Sequence, residues 1–223
     1  RILVLTAHPD DEAFAAGGTI HLNNLQGGLT YLGCATRGER GRAYLKDDIS
    51  DEDLKKLRTE ELMVVAKELK MSDVSIFDFP DRGLEDYKQE LMNAWRPLLD
   101  EFKPNIILSF GKDGYTGNVD HIVVGDIAHQ LATEADIQYL SFALPDGDKA
   151  ESFRESFVKL RKNGVYTDSH EHLESAMIIE IDSEFKFNLL KIHATQFEGL
   201  NPFNIFSKED AEHFLRFEYF SGY

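Results

Sequence analysis

A dense group of polar side chains follows the first apolar segment of the chain. Directly after Ile2–Thr6 come His8, Asp10, Asp11 and Glu12, which place one histidine and three acids within five positions. A histidine and a carboxylate can ligate a divalent metal, while an adjacent carboxylate can face a water and act as a general base. An aspartate before a helix also caps its N-terminus, but capping accounts for only one of these acids. The spacing therefore predicts a loop that performs chemistry.

A second polar segment spans residues 111–121 and contains three glycines. It follows another apolar run, Asn105–Phe110, and ends with His121 at the start of a helical pattern. Glycine permits tight turns and the close approach of a ligand. Alone, His121 would be an ordinary histidine in the first turn of a helix. Together with His8 and Asp11, it completes the two-histidine, one-carboxylate set of catalytic zinc sites, which leave a fourth position open.

Short apolar segments alternate with helical patterns along the chain, and these elements must position the polar segments. The predicted strands are Ile2–Thr6, Leu29–Thr36, Val74–Phe79, Asn105–Phe110, Ile137–Phe142 and Ala176–Ile181, and the predicted helices are Ala13–Leu25, Asp53–Lys70, Asp86–Phe102, Asp120–Ala135, Ser183–Thr195 and Lys208–Phe217. This alternation predicts an α/β fold with a mostly parallel sheet covered by helices on both faces. Ligands bind where the carboxyl ends of parallel strands meet, so the two polar segments are expected to converge there. The absence of repeats and linkers predicts a single domain over residues 1–223.

The composition argues against several kinds of partner. The net charge of −16 disfavours nucleic acid and anionic membranes, because their phosphate groups repel an acidic surface. The one cysteine, Cys34, lies in an apolar run and is expected to be a buried strand residue, and a chain without disulfides suits the cytoplasm. The first residue is Arg1 rather than methionine, so further residues are expected upstream. A homo-oligomer is compatible with the sequence, which leaves the oligomeric state open.

Several segments resemble a known family. They are Ala7-His8-Pro9-Asp10-Asp11-Glu12, Gly17-Gly18-Thr19-Ile20, Thr36-Arg37-Gly38-Glu39 and Asp120-His121, followed by His193 and Gln196 in a late helix. In this order and spacing they are similar to the LmbE/PIG-L family of metal-dependent N-deacetylases. The resemblance implies a Rossmann-like three-layer sandwich. It also implies a hydrolase that removes an acetyl or other acyl group from the amide nitrogen of an N-acetylglucosamine-type substrate.

The resemblance also implies roles for individual residues. His8, Asp11 and His121 would ligate a single divalent metal, usually zinc, and Asp10 would be the general base. Iron, manganese and cobalt stay open as alternatives to Zn²⁺, because histidine and aspartate ligands accept several metals. Arg58 resembles a family arginine that faces the substrate.

The chain departs from the family at Asn118, where the family usually has a histidine that stabilises the oxyanion and is oriented by the residue corresponding to Asp120. The asparagine amide can donate a hydrogen bond but cannot carry a positive charge. Tyr115 and His193 are the other candidates for this role, and both are expected to contact the substrate. Arg37, after the second strand, is a further candidate for substrate binding, although a solvated loop explains it equally well.

Two other functions stay open. A nucleotide-binding α/β protein would share the strand–loop–helix start, but the acidic loop puts negative charge where phosphate needs N–H groups. A non-catalytic relative that binds metal and sugar would account for Asn118. Among other polar residues, Asp81 after the third strand borders the pocket or simply forms a turn, and His170 and His172 are expected at the surface.

Overall fold

The computed structural model describes residues 1–41, 49–160, 175–197 and 206–222, so His170 and His172 lie outside the described residues. The strands are β1 (Ile2–Thr6), β2 (Thr30–Thr36), β3 (Asp73–Phe79), β4 (Ile106–Phe110), β5 (Gln138–Ala143), β6 (Met177–Glu180) and β7 (Phe217–Gly222). They form one sheet in the order β3-β2-β1-β4-β5-β7-β6. The first five strands are parallel, whereas β7 pairs antiparallel with both β5 and β6. The predicted α/β fold with a mostly parallel sheet is confirmed.

Helices connect the parallel strands. They are α1 (Asp11–Leu25), α2 (Asp51–Glu68), α3 (Lys88–Phe102), α4 (Gly114–Gly117), α5 (Val119–Glu134), α6 (Asp148–Leu160), α7 (Ser183–Ile192), α8 (Ala194–Phe197) and α9 (Lys208–Arg216), with a 3₁₀ turn at Leu84–Tyr87. The strand order reverses at β1, and right-handed crossovers then put α1 and α2 on one face and α3 and α5 on the other. No helix in the described ranges is long and apolar enough to cross a membrane.

The buried core explains why the strand predictions are close to the observed bounds. Every residue of β1 and β2 is buried, which requires the continuous apolar runs that predict parallel strands. Cys34 in β2 is fully buried, as expected. In α3, the apolar residues recur at helical spacing and face this core, as Trp95 and Leu91 show.

The C-terminal part of the described chain differs from the sequence prediction. The predicted helix Ser183–Thr195 ends at Ile192, and a short second helix begins at Ala194, so His193 lies at the break. The predicted helix Lys208–Phe217 ends at Arg216, and β7 begins directly after it. The sequence prediction contains no strand after Phe217, because the alternation in β7 spans only a few residues.

Glu218 of β7 forms a buried ion pair with Lys186 of α7 and also accepts hydrogen bonds from the backbone of α1. The carboxylate of Glu218 lies 2.9 Å from Nζ of Lys186 and accepts the backbone N–H groups of Gly18 at 3.0 Å and Thr19 at 2.8 Å. A Cβ at Gly18 would lie 2.5 Å from the side chain of Ile181, so only glycine allows this close packing. The pair anchors the helix that begins with the acidic loop.

Candidate metal centre and active site

The loop between β1 and α1 is organised by the side chain of Asp11. Its Oδ2 atom accepts the backbone N–H groups of Ala7 at 3.1 Å and His8 at 2.8 Å, which leaves Oδ1 for another partner. Asp10 precedes the helix with φ 123° and ψ −26°. This conformation costs a non-glycine residue ~1–3 kcal/mol and persists only where the surrounding contacts hold it.

The structure brings together His8, Asp11 and His121. Nδ1 of His8 lies 3.2 Å from Nε2 of His121, and this Nε2 lies 3.2 Å from Oδ1 of Asp11. Nδ1 of His8 lies 3.7 Å from Oδ2 of Asp11. All three residues are buried. They meet because β1 and β4, whose following segments carry them, are neighbours in the sheet.

Each of the two histidines offers its other ring nitrogen to an acceptor. Nε2 of His8 lies 3.4 Å from Oδ1 of Asp81 and 3.4 Å from Oδ2 of Asp120. Nδ1 of His121 lies 3.0 Å from the carbonyl oxygen of Gly114. When these outer nitrogens carry the protons, the inner nitrogens that face each other keep their lone pairs. Carboxylate and carbonyl partners fix the tautomer of metal-ligating histidines in this way.

The donor set of His8, Asp11 and His121 fits a divalent metal such as zinc. With metal–ligand distances of ~2.0–2.2 Å, tetrahedral coordination separates neighbouring ligand atoms by roughly 3.3 Å. Here the two inner histidine nitrogens are 3.2 Å apart, and that of His121 is 3.2 Å from Oδ1 of Asp11, whereas Nδ1 of His8 is 3.7 Å from the other oxygen, Oδ2. One ligand atom from each of the three residues lies within 4.8 Å of the other two. A second group, His8 with Asp81 and Asp120, also lies close together. In that group, Asp120 already accepts two backbone N–H groups, so its geometry favours holding the ring of His8.

The charges of the cluster shift the pKa values of its members. Burial lowers the pKa of His8, but Asp81 and Asp120 more than offset this and hold it well above its usual value. Burial raises the pKa of Asp11, but the neighbouring His121 outweighs burial and lowers the pKa to about 2. Asp11 is therefore ionised at neutral pH, as a metal-ligating carboxylate must be.

Asp10 lies beside the candidate metal ligands, and the charges of His8 and Asp11 act on its pKa. Burial raises its pKa to about 6, although the positive charge of Arg58 opposes the shift. Its side chain is 21% exposed, so a reactant can reach it. A carboxylate whose pKa lies near the working pH can both accept and release a proton.

Arg58 links α2 to the loops that follow β1 and β2. Its guanidinium donates to the carbonyl oxygens of Gly38, at 2.8 Å, and Pro9, and lies 3.2 Å from Oδ1 of Asp10. Gly38 has φ 70°, and a Cβ there would lie 2.2 Å from Nη1 of Arg58. Arg58 is only 2% exposed. It is thus placed to orient Asp10, and its expected contact with substrate stays a prediction.

Asn118 is the N-cap of α5, because its Oδ1 atom accepts the backbone N–H of Asp120 at 2.9 Å. The carboxylate of Asp120 accepts the backbone N–H groups of Arg82 at 2.6 Å and Leu84 at 3.2 Å, and lies beside His8. The expected role of Asp120 in orienting residue 118 stays a prediction. The carboxylate is occupied by the loop after β3 and by His8, and only the backbone of Asp120 contacts the Asn118 side chain.

Tyr115 and Arg37 are two further candidates for substrate binding. Tyr115 has φ 64° and packs edge-on against Phe14, with ring centroids 6.1 Å apart. Burial holds the pKa of Tyr115 far above its usual value, so it stays neutral. Arg37 donates to Thr59 at 3.0 Å and lies 3.5 Å from Asp78 at the surface. Roles in substrate binding for Tyr115 and Arg37 stay predictions.

His193 is fully buried, and its Nε2 atom lies 2.6 Å from Oε1 of Glu12. The other oxygen of Glu12 accepts the backbone N–H of Asp10 at 3.1 Å. His193 therefore reaches the active-site loop through Glu12. Its predicted role in binding substrate remains untested.

The sequence leaves Asp81 open between a residue that borders the pocket and one that forms a turn, and the structure places it beside His8. Asp81 accepts the backbone N–H of Arg40 at 2.8 Å through Oδ2 and offers Oδ1 to His8. Burial raises its pKa, but His8 outweighs burial and holds the pKa well below its usual range. Its position just beyond the carboxyl end of β3 was the available signal, since ligand sites form at that edge.

Known proteins similar to this chain include two curated relatives. A relative from Bacillus subtilis (strain 168), named "Probable N-acetyl-alpha-D-glucosaminyl L-malate deacetylase 2", is 29% identical over 204 residues, which cover 90% of this chain and 85% of the relative. The 4-oxalmesaconate hydratase of Pseudomonas putida KT2440 is 34% identical over 154 residues, which cover 66% of this chain and 55% of that protein. Both relatives are enzymes.

A crystal structure of a deacetylase in the biosynthesis pathway of teicoplanin has the same fold, with a TM-score of 0.73 over 100% of this chain and 97% of that chain at 16% identity. The family model described as PIG-L, GlcNAc-PI de-N-acetylase, matches residues 3–132, which is more than half of the chain. The prediction of an enzyme of this metal-dependent hydrolase class is confirmed. The chain therefore belongs to the PIG-L family.

Proposed function

We propose that this protein is a zinc-dependent N-deacetylase that acts on a small N-acetylglucosamine-type substrate. The proposal rests chiefly on one observation: the inner nitrogens of His8 and His121 lie 3.2 Å apart, and that of His121 lies 3.2 Å from Oδ1 of Asp11, which are spacings that suit the ligands of one metal. Family membership supports the reaction class, and the Bacillus relative supports an amino-sugar substrate.

A divalent metal held by His8, Asp11 and His121 would polarise the amide carbonyl and lower the pKa of water. Asp10 accepts a proton from the attacking water and later delivers it to the departing amine nitrogen. Its pKa of about 6 suits both steps at neutral pH. Arg58 holds the Asp10 carboxylate in place through the 3.2 Å ion pair.

The negative oxygen that develops in the transition state needs a hydrogen-bond donor. We assign this donor to the amide NH₂ of Asn118. Its Oδ1 atom is engaged as the N-cap of α5, which fixes the orientation of the amide. The neighbouring Asp120 keeps the ring of His8 in position from the opposite side.

The decisive experiment combines metal analysis with an amine-release assay. The purified protein is stripped of metal, reloaded with Zn²⁺, Mn²⁺, Fe²⁺ or Co²⁺, and incubated with a panel of N-acetylated amino sugars. We expect equal amounts of free amine and acetate, abolished by a chelator and restored by metal.

Folded protein that binds the metal but releases no amine from any substrate would overturn the proposal. A parallel assay with an unsaturated tricarboxylic acid, monitored for addition of water, covers the chemistry of the hydratase relative. Activity only in that assay would likewise overturn deacetylation in favour of hydration.

A further inference from the structure

Glu12 and His193 form a buried pair directly behind the proposed general base. Nε2 of His193 lies 2.6 Å from Oε1 of Glu12, and both side chains are fully buried. Glu12 is in the first turn of α1, whereas His193 lies at the break between α7 and α8. The pair therefore joins the active-site loop to a part of the chain 181 positions away.

The second oxygen of Glu12 contacts the backbone of Asp10. Oε2 accepts the N–H of Asp10 at 3.1 Å, at the residue whose φ of 123° is unfavourable for any side chain other than glycine. A strained backbone needs contacts that hold it, and this hydrogen bond is one of them. Because a carboxylate can rotate, Glu12 keeps this orientation only if its other oxygen is also held.

His193 supplies that second contact. Packing alone does not explain a histidine here, because one of its ring nitrogens is buried without a hydrogen bond in the part of the chain that the structure describes. Its Nδ1 atom is buried and has no hydrogen-bond partner among the described residues, since the nearby Oε2 of Glu61 is 4.0 Å away. A leucine of similar volume would fill the same space without an unsatisfied nitrogen. The histidine is therefore explained by its bond to Glu12.

We propose that His193 is a positioning residue, which fixes Glu12 so that Glu12 holds the backbone of Asp10 and aims its carboxylate at the metal centre. The catalytic part of this inference rests on the proposed function. It assigns His193 a role different from the substrate contact expected from the sequence.

The test compares His193→Gln with His193→Asn. The glutamine amide reaches the position of Nε2 and can still donate to Glu12, whereas the asparagine amide is one methylene too short. His193→Leu removes the donor entirely and serves if the asparagine variant does not fold. Thr195→Val is the matched control, because Thr195 lies at the same helix junction but donates to Glu61 rather than Glu12.

The first readout is hydrogen exchange of the Asp10 amide, followed by NMR in the metal-free protein. We expect faster exchange, on the order of 10-fold or more, in His193→Asn and His193→Leu, and wild-type protection in His193→Gln and Thr195→Val. The second readout is kcat, KM and bound zinc. We expect kcat to fall ~10–100-fold in the asparagine and leucine variants with KM and zinc content unchanged.

Equal exchange at Asp10 in the glutamine and asparagine variants would overturn the proposal, as would a loss of kcat that follows the loss of zinc. If the wild-type protein proves not to be a deacetylase, the exchange experiment still tests the link from His193 through Glu12 to Asp10. Failure of the proposed function and failure of this inference are therefore distinguishable.

Discussion

Nδ1 of His8 and Nε2 of His121 lie 3.2 Å apart although 113 positions separate them in the sequence. Two ring nitrogens at this distance repel each other unless a proton or a cation lies between them. Their outer nitrogens already face Asp81, Asp120 and a backbone carbonyl. A shared proton or the proposed metal is therefore needed to hold this pair together.

Removal of the metal should therefore lower stability. With zinc at ~100 times its Kd, binding adds about 2.7 kcal/mol to the free energy of unfolding, so chelation should lower Tm by several degrees. His121→Ala should abolish this zinc-dependent shift, whereas His129→Ala, at the other end of α5, should retain it. Differential scanning calorimetry with and without zinc measures both. A His121→Ala variant that still gains full stability from zinc would contradict the ligand assignment.

Asp10→Asn should keep the metal and lose activity. The amide preserves the shape of the side chain but cannot accept the proton from water, so kcat should fall ~10²–10⁴-fold. Zinc content, measured by atomic emission on the same sample, should stay at the wild-type level. Near wild-type kcat in this variant would remove Asp10 from the role of general base.

The pH dependence of stability in the metal-free protein should report the environment of Asp10. Burial raises its pKa to about 6, above the usual value of 3.8. Because the ionised form is disfavoured in the folded state, stability is lost as the pH rises from about 4 to 6. Asp10→Asn should therefore be more stable than the wild type at pH 7, with the difference vanishing below pH 4. Urea denaturation across this range tests the sign, and a constant difference would contradict it.

Two substitutions at Asn118 separate its two proposed roles. Asn118→Ser keeps an N-cap oxygen for Asp120 but removes the amide donor, whereas Asn118→Ala removes both. We expect the serine variant to retain Tm and the alanine variant to lose about 1 kcal/mol of stability. Both should lose ~10²–10³-fold in kcat if the amide stabilises the oxyanion. Full kcat in Asn118→Ser would leave this residue as a helix cap alone.

The buried pair of Lys186 and Glu218 should dominate the stability of the C-terminal part of the described sheet. Burial lowers the pKa of Lys186, and its ammonium lies 2.9 Å from Glu218. Lys186→Met leaves an uncompensated buried charge, which should cost ~3–5 kcal/mol. Adding Glu218→Gln should recover part of this loss. Urea denaturation measures both variants, and a single-variant loss below ~1 kcal/mol would show that water or another group compensates the carboxylate.

The sequence predicts the parallel half of the fold well because its signals are local. A buried parallel strand requires a continuous apolar run, and Ile2–Thr6 coincides with the observed β1. β7 was missed because its alternation is short and its partners, β5 and β6, are distant in the chain. The break at His193 was missed because a single residue separates the helices Ser183–Ile192 and Ala194–Phe197.

The candidate site was likewise predicted where the signal is local and missed where it depends on contacts between distant loops. The loop motif and the rule on strand ends predict that His8, Asp11 and His121 converge, as the structure shows. The contacts of Asp81 and Asp120 with the ring of His8 depend on how the loop after β3 folds back over β1. The sequence pattern does not specify this fold of the loop. The carboxylate of Asp120 accordingly contacts His8, whereas its backbone N–H donates to the side chain of Asn118.

The insertion of β7 between β5 and β6 has a consequence for the order of folding. Among the described residues, β6 precedes β7 in the chain but pairs with the sheet only through it. The edge of β5 must therefore remain unpaired until Phe217–Gly222 docks, and this long-range step is slow compared with closing neighbouring strands. An unpaired apolar edge invites association with other chains, so conditions that delay this docking should favour aggregation over native assembly.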